Sequence, residues 1–165
     1  MFVNSKKIIK IMNEIAPESL AESWDNVGFL IGNEDREVDR VMVALEVTEL
    51  VVDEAINNNI DLIICHHPLL FKPMKKITDN DPIGRMVRKL IKHDIGLYVA
   101  HTNLDIAEGG TNDYIAEILE LGNVSGLSKT GSSRYFKIVV FVPVENGKAV
   151  VEAAMLRAPH QVEPA

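Results

Sequence analysis

Two short stretches of the sequence concentrate side chains that bind metals and move protons: Cys65-His66-His67-Pro68 and His101-Thr102-Asn103-Leu104-Asp105. Neutral imidazole and carboxylate are borderline-to-hard ligands, suited to Zn, Mn, Fe or Ni. Side chains alternate across a strand, so His66 and His67 inside one would point to opposite faces and could not share an ion. Each stretch instead follows an apolar run, IDLIIC or IGLYVA, at whose exit the backbone turns. There the two imidazoles can hold one ion together or two neighbouring ions separately. Asp105, with two carboxylate oxygens, suits a bridging position between cations. His101 is open to three roles: ligand, hydrogen-bonding support for a ligand, or general acid/base. Asn103 is placed to fix its loop and Thr102 to cap it. Cys65, last in its run, is expected to face the core as a small hydrophobe, and His93 to sit at the exposed end of a helix. A third segment, Glu22 to Gly28, sets Trp24 beside Asp25. The expectation there is an Asx-type turn with Trp24 packed into the core; the alternative makes Trp24 the wall of a pocket.

The elements that must position these residues alternate in type. Ser5 is expected to cap a helix carrying Ile8, Ile9, Met12, Ile15 and Ala16 on one face, closed by Pro17. Strands are expected over 26–32, over a buried, β-branched 38–47, over 60–65 and over 95–100. Helices are expected from a Thr48 cap to Asn59 with Leu50, Val51, Val52, Ala55 and Ile56 inward. A second carries Ile83, Met86, Val87, Leu90 and Ile91, and a third follows a Thr111 cap. Between His66 and Pro82 lies a long loop with three prolines, a length that in compact domains marks function or mobility. The class that follows is α/β, a mostly parallel sheet flanked by helices. In such sheets ligands bind beyond the carboxyl ends of strands, which is where both histidine stretches fall. The Gly/Ser-rich 123–133 breaks the rhythm, giving a division into 1–125 and 126–165. Beyond it only a strand over 135–142 and a helix over 145–157 are expected, too little to bury a core.

Composition narrows the function. The net charge is −7, which works against nucleic-acid backbones, and the basic residues from Lys72 to Lys76 and at Arg85, Arg88, Lys89 and Lys92 are expected to form a solvated face, an anionic-substrate patch being the alternative. One cysteine excludes an internal disulfide and fits a reducing compartment. The N-terminus lacks the apolar core of a signal peptide, and no run reaches transmembrane length, so a cytoplasmic protein without membrane contact is expected.

Taken in order, SWDNVGFLIG, VMVALEVT, ICHHPLLFKP and AHTNLDIAEGGTND resemble the NIF-three-like proteins, the GTP cyclohydrolase 1 type 2 homologue family, over roughly residues 4–125. The resemblance implies an α/β fold, two divalent metal ions per subunit in a complete member, and a toroidal homohexamer whose sites face an internal cavity. By matching position it makes His66, His67 and Asp105 metal ligands. Glu46 stands where the family typically has Asp. The family completes its site with a late His and Glu; His160 and Glu163 lie in surroundings that do not match that motif, and the role is not carried to them. Tyr135 onward is similar to the opening of a PII-like inserted domain, and APHQVEPA to its end, as though the chain were truncated or internally deleted. Function then divides between a metal-dependent hydrolase acting on a small molecule and a non-catalytic metal-binding or regulatory/assembly protein.

Overall fold

Residues 3–126 and 139–157 are described by the computed structural model, and the chain divides into two compact units, Met1–Leu127 and Ser128–Ala165. The first unit holds the histidines. Its order is β1 (Val3–Asn4), α1 (Ser5–Ile15), a 3-10 turn (Glu18–Leu20), β2 (Gly28–Ile31), β3 (Glu37–Val38), β4 (Val41–Ala44), α2 (Glu49–Asn57), β5 (Leu62–Cys65), α3 (Pro82–Lys92), β6 (Gly96–Val99), α4 (Thr102–Ile106) and α5 (Thr111–Ile118). A four-stranded sheet runs β2-β6-β5-β4, with β4, β5 and β6 parallel and β2 antiparallel to β6; β1 and β3 form a separate antiparallel pair. The architecture is α/β, helices flanking a sheet.

Period-two alternation sorts the sheet residues between two faces. Ile63 and Cys65 of β5, with Leu97 and Val99 of β6, join Val52 and Ala55 of α2 and Val87 and Leu90 of α3. Leu62 and Tyr98, pointing the other way, pack with Ile8, Ile9 and Met12 of α1. Helices α2 and α3 start and stop on named signals. Thr48 Oγ1 accepts from the Val51 N–H at 3.2 Å, and Asp81 accepts from Gly84 at 2.8 Å with Pro82 opening α3. Each helix then ends in a left-handed residue, Asn59 (φ 51°) or Asp94 (φ 56°). Ile60 N–H donates back to Ala55 O and Ile95 N–H to Leu90 O, both at 2.9 Å, closing paired Schellman motifs. These two matched stops launch β5 and β6, the strands whose exits carry the histidines.

Several expectations are corrected. The strand over 38–47 is broken, because Asp61 accepts the backbone N–H groups of Asp39 and Arg40 at 2.9 and 3.0 Å and turns the chain between β3 and β4. Nor is most of that stretch buried: Val38 and Val47 at its ends join the core, but β4 is an edge strand and Val43 is 79% exposed. Asn4, not Ser5, caps α1, while Ser5 is buried and its hydroxyl donates to Arg36 O. The N-cap of α5 is Gly110, whose Cβ would stand 1.9 Å from Leu104 O; only glycine admits that approach. Leu50, expected inward, is exposed on α2, as are Ile91 on α3 and most apolar residues of α5. The basic face of α3 is engaged with Arg85 on Glu49, Arg88 on Asp79 and Lys89 on Asp53, as a solvated, ion-paired face requires.

In the second unit, a 3-10 turn (Val144–Asn146) leads into α6 (Gly147–Arg157). Of the strand expected over 135–142, residues 139–142 have no regular structure and 135–138 lie outside the described residues, as do His160, Glu163 and the APHQVEPA segment. Among the described residues no helix is long and apolar enough to cross a membrane.

Candidate metal centre

Parallel register brings the site together. Cys65 of β5 stands opposite Val99 of β6, and the Ala100 N–H donates to Cys65 O at 3.0 Å, so both strands exit at one level. One residue further on, His66 Nδ1 lies 2.8 Å from Ala100 O. His67 is turned into the same space because its N–H, with that of His66, is taken by Leu45 O beyond the end of β4. The ring centres of His66 and His67 are then 5.1 Å apart, and those of His101 lie 5.0 and 5.9 Å from them. Ligand atoms of His66, His67 and His101 all fall within 4.8 Å of one another. Asp105 approaches through α4, with Oδ1 3.7 Å from His66 Nε2. The structure therefore groups His66, His67 and His101 at the strand exits, with Asp105 beside His66 but outside that three-histidine group.

The donor set fits a divalent ion. A carbonyl or ionised carboxylate oxygen only accepts, so its partner nitrogen carries the hydrogen. His66 thus donates through Nδ1 to Ala100 O, and His101 through Nδ1 to Asp25, 3.0 Å from both carboxylate oxygens. In the neutral ring this leaves Nε2 of each with a free lone pair, the arrangement by which outer partners orient metal-binding imidazoles. A shared ion would draw the three ligand nitrogens in from 4.8 Å, and the exposed His67 side chain has room to turn toward it.

Asp25 is the residue the sequence reading passed over. Its side chain is 0% exposed. Besides His101 it accepts from the Asn26 N–H at 2.8 Å, the Thr102 N–H at 3.1 Å and Thr102 Oγ1 at 2.5 Å. Burial works to raise its pKa, but the hydrogen bonds from Thr102, His101 and the backbone outweigh that and hold the carboxyl below its ordinary value. It is therefore ionised at neutral pH. Trp24, expected in the core, is 58% exposed, because the turn that buries Asp25 sends the indole outward. Thr102 serves as a relay, its hydroxyl donating to Asp25 and accepting from the Glu22 N–H at 3.0 Å. Asn103 is wholly buried, donating to Ala16 O at 2.7 Å and accepting from the His101 N–H at 2.9 Å, so it does fix the loop. Burial pushes the Cys65 thiol up to about 12, and Sγ donates to His67 O; it remains a core thiol with no thiolate to offer.

Replacing Asp25 by Asn is expected to weaken ion affinity about 10- to 100-fold, the usual cost of losing an orienting carboxylate. Calorimetric titration checks it, and unchanged affinity would show that His101 needs no such support. The same carboxylate carries a pH signature. A carboxyl whose folded pKa is depressed adds stability above about pH 4 that is lost as pH falls through the folded value. The stability gap between wild type and Asp25→Asn should narrow in acid.

By fold and site this is an α/β protein with a three-histidine cluster, competent to hold a metal ion, at the carboxyl edge of its sheet. The family model for Duf34/NIF3 (NGG1p interacting factor 3) matches residues 3–162, and the chain belongs to that family. Among its relatives are GTP cyclohydrolase 1 type 2 homologs of Bacillus subtilis, 44% identical over 87% of this chain and 38% of theirs, and of Listeria monocytogenes, 45% identical over 93% and 41%. Similar solved structures include a Bacillus cereus protein related to NIF3 (TM-score 0.75, 44% identity, 79% of this chain and 36% of that one) and reduced HcgD from Methanocaldococcus jannaschii (TM-score 0.74, 36% identity, 79% and 52%). The chain spans about two fifths of the length of the curated relatives it matches.

Proposed function

We propose that the chain holds a divalent metal ion through His66 and His67, with His101 as a third imidazole and Asp105 beside His66, and that the centre serves hydrolysis of a small molecule. The observation that carries this reading is the pair of outer partners, Ala100 O and Asp25, which aim two imidazole nitrogens into one space. A bound divalent ion supplies Lewis acidity, lowering the pKa of water and polarising an electrophile. The chain supplies the rest. Asp25 holds His101 in one tautomer, Ala100 O does so for His66, and Asp105, one-third exposed, accepts a proton or completes the ligand set. The name borne by the Bacillus subtilis and Listeria relatives makes GTP one substrate to test.

Finer features belong to the same proposal and rest on the family resemblance. They are two ions per subunit in a full-length member, a homohexamer with the sites on an inner cavity, a PII-like insert opening within 126–165, and a cytoplasmic setting. Exposed apolar residues on the edge strand β4 and on α5 support association, since uncovered strand edges and apolar faces favour partners.

The test is turnover by a metal-loaded full-length relative. Ion-dependent hydrolysis of GTP or of a simple phosphate ester is expected, lost when the residue matching His67 becomes Ala and the oligomer persists. Tight ion binding with no turnover on either substrate would transfer the site to the non-catalytic metal-binding or assembly role.

A further inference from the structure

Beside the histidine cluster lies a cavity of about 410 Å³, within the size range of small-ligand sites, and it shares a wall with the cluster. Asp25, which holds His101, lines it, as do Trp24, Phe71, Lys72 and Met74. Two features set it apart from an ordinary surface hollow. Trp24 and Phe71 stand 6.0 Å apart at 68° to one another, edge to face, and are 58% and 46% exposed. Neither ring is buried in the core, and both line the cavity. The second feature is charge. Asp25 is buried and engaged by Thr102 and His101, whereas Lys72 is exposed and has no ion-pair partner among the described residues. That contrasts with Arg85, Arg88 and Lys89, each held by a carboxylate.

We propose that this cavity binds the body of the substrate, and that the substrate is a planar aromatic acid: its ring lies against Trp24 and Phe71 and its anionic group meets Lys72. The proposal rests on the reading of the histidine cluster as the reacting centre. The indole and the His101 ring are only 6.5 Å apart, so a ring seated there carries its neighbouring substituents to the cluster. Aromatic faces prefer the edge or offset face of another ring over a puckered aliphatic one, and an unpaired ammonium at the rim favours an acid over the matching amide. Both preferences are measurable without turnover.

The experiment titrates 2-naphthoate, naphthalene-2-carboxamide and the fully saturated decahydronaphthalene-2-carboxylate, equal in carbon count, into the 165-residue chain by calorimetry, with the protein both chelator-stripped and loaded with Zn. Variants are Trp24→Leu, Trp24→Phe and Lys72→Gln, each checked for native circular dichroism; Trp24 and Lys72 are exposed, so folding should survive. In the stripped protein we expect naphthoate to bind at least about tenfold more tightly than decahydronaphthalene-2-carboxylate, a difference of about 1.4 kcal/mol. Trp24→Leu should remove that preference and Trp24→Phe restore most of it. Lys72→Gln should bring naphthoate down to the affinity of the carboxamide. Naphthoate affinity unchanged in Trp24→Leu, or equal for ring and puckered acid, would overturn the proposal. Ion binding that depends on His66 and His67 without Trp24-dependent naphthoate binding overturns the pocket and leaves the metal reading standing. The converse, Trp24-dependent binding with no histidine-dependent ion binding, supports the pocket and overturns the metal reading.

Discussion

Replacing His67 by alanine is expected to weaken divalent-ion affinity by at least about tenfold, since even orienting partners of ligands are worth 10–100-fold. The fold should scarcely notice. His67 is exposed, and the aromatic neighbours of its ring among the described residues are the imidazoles of His66 and His101. Surface substitutions of this kind stay within about 0.5 kcal/mol. His66→Ala should lose as much affinity and somewhat more stability, because its ring is partly buried and donates to Ala100 O. Calorimetric ion titration with thermal unfolding separates the two effects. Unchanged ion affinity in both single variants would remove His66 and His67 from the site.

Asn103→Ala is the substitution with the largest expected effect on stability. The side chain is 0% exposed and bridges Ala16 O, at the end of α1, to the His101 N–H. Alanine leaves a buried acceptor and a buried donor unpaired, each costing about 1–3 kcal/mol, together with a small void. A loss of roughly 3–5 kcal/mol is therefore expected, in the range reserved for broken buried networks. Ion affinity should fall with it, because the His101 backbone loses its anchor while the ring keeps only Asp25. Denaturant unfolding measures the first effect. A loss below about 1 kcal/mol would mean that water replaces both hydrogen bonds at no cost.

Much of this is legible in the sequence alone. The periodicity of Ile83, Met86, Val87, Leu90 and Ile91 located α3, although Pro82, read as the end of the loop, opens the helix and Asp81 caps it, and the apolar runs before His66 and before His101 located the two strand exits. Two things were not legible, and they share a cause. Alternating strands and helices imply parallel neighbours, but β2 lies antiparallel to β6 with Gly28 opposite Val99. The chain entering β2 therefore meets the chain leaving β6, which is how Asp25 reaches His101 across 76 positions. Read locally, Asp25-Asn26 is a short turn and nothing more. The same limit hid the exposure of Val43: β-branched alternation marks a strand but not its place at the edge of the sheet. The one local clue was a lone tryptophan beside an acid just ahead of a glycine-flanked strand.

Ion content bears most directly on the central claim. The chain would be stripped with chelator, equilibrated with Zn or Mn, passed through a desalting column and subjected to elemental analysis, alongside a triple variant His66→Ala/His67→Ala/His101→Ala. A site with these donors should retain about one ion per chain, and the triple variant less than about a tenth of that. Equal ion content in the two proteins, with both folded, would contradict the assignment of these histidines as a metal centre.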